Sequence, residues 1–183
     1  MPPRQGVVTG ITGTPGTGKK TMSALVSRRL GVRCVSIEEV ARKHGLIDRD
    51  SRVDTKALRV KLATWTEPSV LYGHLLPQVL PKAVAKSVVV LRCDPTVLKE
   101  RLSARGYPAA KVRANVEAEL IGLISADSLR AFGKATTLEL DTTESEPSSL
   151  LRYFEEPHRA RPGPLIDWTL SYASSRKLRS LLS

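Results

Sequence analysis

The segment Gly13-Thr14-Pro15-Gly16-Thr17-Gly18-Lys19 constrains this chain more than any other stretch. It stands between a short β-rich run, Val7 to Thr12, and a helical pattern that begins at Lys19. Gly13, Gly16 and Gly18 let the backbone turn its N–H groups inward around phosphate oxygens, and the helix that follows aims its positive end at them. Lys19 reaches the β- and γ-phosphates of a nucleotide and neutralises charge that moves during transfer. The strand–loop–helix context is what makes this glycine spacing specific.

The rest of the chain alternates strand and helix signals, which predicts an α/β fold of three layers, a central parallel sheet between helices. Apolar positions at Leu25, Val26 and Leu30 predict one buried face for the first helix, stopped by Gly31. Arg33 to Ile37 reads as a second strand, and Ser36 with Glu39 as the capping box of a helix reaching about Gly45. Residues 45–61 are polar with weak periodicity and read as a flexible insertion. Val70 to Tyr72 is a brief strand ending in Gly73-His74. The Val-Val-Val-Leu run within Ser87 to Arg92 suits a strand buried on both faces. Asp94-Pro95 caps and opens a helix to about Ala104. After Arg105-Gly106-Tyr107-Pro108 a longer helix carries Val112, Val116, Leu120 and Leu123 on one side. Thr137 to Leu140 is a last strand, Pro147 to Glu155 a short helix, and Leu165 to Leu182 a basic amphipathic helix.

Two features qualify the phosphate loop. The residue after its lysine is ordinarily Ser or Thr, whose hydroxyl binds Mg²⁺; here it is Lys20, and the hydroxyl comes one place later at Thr21. Transfer also needs donors that clamp the moving phosphoryl group. Arg101 and Arg105 lie one helical turn apart at the end of the helix after the central strand, placed to close over the phosphates. His74 positions a water or a phosphate, or is a hydrogen-bonded structural histidine.

Lys and Arg total 29 against 18 Asp and Glu, a formal charge of +11, with an isoelectric point near 10.1. A phosphate site accounts for only part of this. The excess points to a polyanion such as RNA, or to an arginine-rich solvated surface of a thermophilic protein. Asn115 is the only asparagine and Gln5 and Gln78 the only glutamines, which supports the second reading. Residues 157–183 hold five Lys or Arg and one Asp, a net +4. That stretch is a solvated docking helix or a contact surface for RNA or a protein. No apolar run is long enough to cross a bilayer and Met1 to Gly6 lacks a signal-peptide core, so an intracellular, cytoplasmic protein is expected. Cys34 and Cys93 read as buried thiols.

The loop residues, then Gly73-His74, Val90-Leu91-Arg92-Cys93-Asp94, Glu100-Arg101-Leu102, Arg105-Gly106-Tyr107 with Lys111, Asn115 and Glu119, and Gly163-Pro164-Leu165-Ile166-Asp167-Trp168 occur in that order. Over residues 7–168 the chain thus resembles the archaeal and eukaryotic nuclear-type (isoenzyme 6-like) adenylate kinase family. The resemblance implies a P-loop nucleoside monophosphate kinase and ATPase that uses ATP and Mg²⁺. It also implies a role in small ribosomal subunit maturation, with binding to a small-subunit ribosomal protein and rRNA. Carried over by position, Gly13, Gly16, Thr17, Gly18, Lys19, Lys20 and Thr21 contact ATP and Arg105 is the lid arginine. Residues 34–57 bind the monophosphate, 104–114 form the lid, and Asp54 is either a substrate contact or a surface carboxylate. The family's carboxylate just before the Gly-His pair is Tyr72 here, so the metal ligands are left unassigned.

Overall fold

The computed structural model describes residues 7–144, 147–155, 165–173, 176 and 181. Five strands form one parallel sheet: β1 Val8–Gly13, β2 Arg33–Ser36, β3 Ser69–Tyr72, β4 Ala85–Arg92 and β5 Thr137–Asp141, in the order β2-β3-β1-β4-β5. The helices are α1 Lys19–Leu30, α2 Ile37–Lys43, α3 Thr55–Ala63, α4 Leu76–Val79, α5 Pro95–Ala104, α6 Ala109–Leu120, α7 Leu123–Phe132, α8 Arg152–Glu155 and α9 Trp168–Ser171. A 3₁₀ turn, Pro147–Leu150, precedes α8.

Strand side chains alternate between the faces and so fill two apolar layers. Val8, Leu71 and Val88 pack with Ile37, Val40, Leu58, Leu62, Leu76 and Phe132 of the helices on one face. Ile11, Val70, Val89 and Leu91 pack with Met22 and Val26 of α1 and Phe154 of α8 on the other. A third cluster at the sheet's carboxyl end joins Cys93, Leu98 and Leu102 to Val112, Val116 and Leu120, with Tyr172 and Leu181 laid against it. Parallel sheets of this kind bind ligands outside the carboxyl ends of their strands, and β1, the central strand, ends there in the glycine loop.

The three-layer α/β/α expectation stands, but several local readings do not. The stretch read as a flexible insertion holds most of α3, a helix whose Leu58 and Leu62 are fully buried. Only these two of its positions meet the core, four residues apart, so the polar remainder hid the period. On α1 the buried face is Met22, Ser23, Val26 and Ser27, while Leu30 is exposed. Two small serines let this helix lie close to the sheet, which an apolar count cannot register. The helix expected to run through Leu123 breaks at Gly122, in the left-handed region at φ 65°, and restarts as α7 with Leu123 exposed. Cys34 is exposed, because β2 is an edge strand; Cys93 is buried as expected. In place of one helix from Leu165, the chain is irregular to Asp167, forms the short α9, and leaves the helix by Ala173. Most of the basic segment 157–183 lies outside the described residues. Among the described residues no helix is long and apolar enough to cross a membrane.

Candidate active site

Gly13, Gly16 and Gly18 adopt φ values of 140°, 96° and 93°, conformations that favour glycine. Space is a second constraint at two of them. A Cβ on Gly13 would sit 2.4 Å from the Leu91 carbonyl oxygen, and one on Gly16 would sit 2.6 Å from Leu98 Cδ1. The loop is closed by Thr17, whose N–H and hydroxyl both donate to the Thr14 carbonyl, at 3.2 and 2.9 Å. Thr142, just beyond β5, donates to the Thr17 carbonyl at 3.0 Å and to that of Arg92 at 2.8 Å.

The Lys19 ammonium donates to the carbonyls of Gly13 (2.8 Å) and Thr14 (2.9 Å). Its pKa falls from 10.5 to about 8, first through burial, with the Glu119 carboxylate opposing and the Arg105 charge adding to the drop. The folded loop therefore holds a cation that needs an anion.

Lys19 lines a cleft of about 790 Å³ together with Ser36, Glu38, Arg42, Arg52, Tyr72 and His74. This size suits a small-molecule site. Burial and the Lys19 charge push His74 below its usual range and Glu38 partly offsets them, so the imidazole is neutral near pH 7. Arg42 pairs with Glu38 at 2.6 Å.

Arg105 is the C-cap of α5 and exposed, followed by Gly106 at φ 73°. The Gly106 N–H donates to Ser103 O and the Tyr107 N–H to Leu102 O, a Schellman closure that leaves the arginine at the rim. Arg101 does not join it as a clamp, which corrects the paired-arginine expectation. Its guanidinium donates to the carbonyls of Thr142 (3.0 Å) and Thr143 (2.8 Å) and to Cys93 Sγ (3.3 Å), so it braces the turn that holds Thr17. One turn of spacing put both arginines at the same helix end but did not say which neighbours each would meet. Asp54 caps α3, accepting from the Ala57 N–H at 2.9 Å, and is absent from the lining of the Lys19 cleft.

Residues with no role assigned from sequence complete the site. Glu119 of α6 is fully enclosed and accepts the Thr14 hydroxyl at 2.6 Å on Oε2. Its Oε1 accepts Arg92 Nε (2.8 Å), the Cys93 N–H (3.1 Å) and Trp168 Nε1 (3.3 Å). Arg92 also donates to Glu139 (3.0 Å) and to the carbonyls of Ile166 and Glu119. Glu139 takes the Ser125 hydroxyl and the Ile166 N–H. Arg92 and Glu119 stood within recurrent motifs, but α6 offered only apolar spacing to suggest that Glu119 faces inward.

The Mg²⁺ implied with ATP finds a poor set of donors here. Lys20 and Thr21 are both exposed on α1, and position 20 supplies an ammonium where a hydroxyl would ligate. Tyr72 brings a phenol whose pKa burial pushes further up. Glu119, the carboxylate at the loop, is taken up by Thr14, Arg92, Cys93 and Trp168. Among the described residues no group of three or more His, Cys, Asp or Glu is arranged to hold a metal ion. The residues present do not fit the usual metal site.

Comparison with known proteins bears on the family and the fold. The AAA domain family model matches residues 10–122. A "Putative adenylate kinase" of Thermococcus onnurineus is 36% identical over 175 residues, covering 91% of this chain and 93% of that protein. The protein of the same name from Natronomonas pharaonis is 37% identical over 168 residues, covering 87% and 96%. A gluconokinase from Sinorhizobium meliloti shares the fold with a TM-score of 0.57 at 20% identity, covering 82% of this chain and 89% of its own. A shikimate kinase from Acinetobacter baumannii does so with a TM-score of 0.56 at 16% identity, covering 85% and 96%. By length, identity and the geometry of its glycine loop, the chain belongs to a P-loop kinase family, the one whose archaeal members carry the adenylate kinase name.

Proposed function

We propose that the protein transfers the γ-phosphoryl group of ATP to AMP or another nucleoside monophosphate. The observation that carries this reading is the one cleft that Lys19, His74, Arg42 and Arg52 line in common. The loop holds the β- and γ-phosphates beside Lys19, and the two guanidinium groups supply a monophosphate anion with partners in the same cleft. A monophosphate oxygen attacks the γ-phosphorus, the bond to the bridging β–γ oxygen breaks, and ADP leaves with a nucleoside diphosphate. Lys19 balances charge on the phosphoryl oxygens and Arg105 closes from the rim. Neutral His74 supplies a hydrogen bond to a phosphate or to a water in the cleft. Residues 34–57 serve as the monophosphate-binding region and 104–114 as the lid.

The names of the archaeal relatives support the kinase reading. A coupled assay of ADP production, run with ATP alone and with ATP plus AMP, tests it. Stimulation by the monophosphate is expected, and ATP binding with no monophosphate-dependent product would overturn it.

A second reading is favoured by Lys20 and Tyr72, which leave the metal position without its usual ligands. In it the protein is a nucleotide-gated assembly factor with slow ATPase and little kinase activity, bound to a small-subunit ribosomal protein and rRNA through its basic surface. The net charge of +11 supports an RNA partner. Product that forms from ATP equally well without AMP would favour this alternative.

A further inference from the structure

One guanidinium and two carboxylates, Arg92, Glu119 and Glu139, are enclosed together at the carboxyl end of the sheet, leaving one negative charge inside the protein. A buried ionic cluster is costly unless its geometry is complete, and breaking it is more costly still. Two parts of the chain complete this one. On one side stands the phosphate loop, through the Thr14 hydroxyl on Glu119 Oε2. On the other stands the segment before and into α9: Trp168 Nε1 meets Glu119 Oε1, the Ile166 carbonyl accepts from Arg92, and the Ile166 N–H donates to Glu139 at 2.6 Å.

We propose that Glu119 is a positioning residue of the phosphate loop, and that docking of residues 166–168 on the Arg92–Glu119–Glu139 cluster sets the conformation in which the loop receives nucleotide. An ionised carboxylate offers no donor to a phosphate oxygen and repels it, so Glu119 acts through Thr14, which it accepts from, and through its charge on Lys19. Its two oxygens connect segments 154 positions apart in sequence, Thr14 and Trp168. When the segment leaves, Glu119 Oε1 loses a donor and Arg92 loses an acceptor. The carboxylate is then free to rotate toward Arg92, and Thr14 loses its partner. Nucleotide affinity and docking of the C-terminal segment are therefore coupled in both directions.

The inference rests on the loop being a nucleotide site, so one arm of the test needs no nucleotide. Amide hydrogen exchange at loop residues 14–18 is compared in the wild type, Trp168→Phe, Thr14→Val and Thr14→Ser. Trp168→Phe and Thr14→Val are expected to speed exchange about fivefold, the effect of one lost hydrogen bond, while Thr14→Ser keeps wild-type protection. Unchanged exchange in Trp168→Phe overturns the coupling. In the second arm calorimetric ATP affinity falls about tenfold in Thr14→Val, as for a bond to a charged group, and is restored in Thr14→Ser.

A pH series separates positioning from mere stability. Among the described residues the charged groups acting on Lys19 are Glu119 and Arg105, and His74 beside it is neutral near pH 7. Glu119→Gln removes the only one of these that raises its pKa, so the alkaline loss of ATP affinity moves to lower pH; Thr14→Val leaves that midpoint in place. Coincident midpoints in Glu119→Gln and the wild type refute the assignment. A wild type that binds no ATP, with exchange responding as expected, would instead refute the proposed function alone.

Discussion

Replacing Lys19 with Met should abolish ATP binding and also remove a gain in stability that the free wild-type protein makes as the pH rises. In the folded chain the Lys19 pKa stands at about 8 against an ordinary 10.5. A lysine depressed in this way opposes folding wherever the unfolded chain holds the proton more tightly. That penalty is complete below about pH 8 and is relieved as pH rises from the folded toward the unfolded value, because the unfolded state then binds more protons than the native one. Raising the pH from 7 to 9.5 passes about 1.5 units beyond the folded pKa, on the order of 2 kcal/mol at 1.36 kcal/mol per unit. Lys19 keeps part of its surface in water, which trims the figure to about 1–2 kcal/mol. The Met variant also loses the bonds to the Gly13 and Thr14 carbonyls, but that loss does not vary with pH. Urea unfolding of both proteins at the two pH values isolates the effect: the difference in stability, wild type minus variant, should grow by about 1–2 kcal/mol toward alkaline pH. Parallel pH profiles would show that Lys19 is not a strained cation.

Arg105→Ala should leave the fold intact and lower kcat more than ATP affinity, since the residue reaches the phosphates only from the rim; equal kcat in both proteins, measured by the coupled assay, would count against it. ATP affinity should differ little between Mg²⁺ and EDTA, and Lys20→Thr with Tyr72→Asp should raise metal dependence and rate together, beyond the sum of the single changes; strong Mg²⁺ dependence in the unaltered protein, read by calorimetry, would place the ion on Thr21 or another ligand. Leu58→Ala should cost about 2–5 kcal/mol in chemical unfolding, the range for emptying a closed core site, whereas a cost below about 1 kcal/mol would make α3 peripheral. RNA affinity should fall steeply with salt, and removing residues 157–183, with their net +4, should flatten that slope in gel-shift titrations; no shift at low salt would leave solvation as the role of the charge.

The loop at residues 13–19 was legible because its requirements are local. Positive φ at three glycines and a helix opening at Lys19 depend on residues a few places apart, and so do the Ser36–Glu39 capping box and the Asp94-Pro95 start of α5. The parallel sheet followed from strand and helix alternation, and the β-branched run in β4 marked a strand enclosed on both faces. Only the tertiary structure decided which polar groups share an interior. Arg101 and Arg105 look equivalent on a helical repeat, yet one meets the carbonyls after β5 and the other faces solvent. Asp54 became a cap, and α3 acquired its core contacts, through a chain reversal that no local period encodes. Glu119 is the clearest case. Its partners come from positions 14, 92, 93 and 168, three segments brought together by the sheet's strand order and by the return of the C-terminal segment. A sequence specifies short-range geometry through backbone conformation and hydrogen-bonding groups a few bonds apart; long-range charge pairing is fixed only when packing excludes water from those groups and leaves each of them its nearest partner.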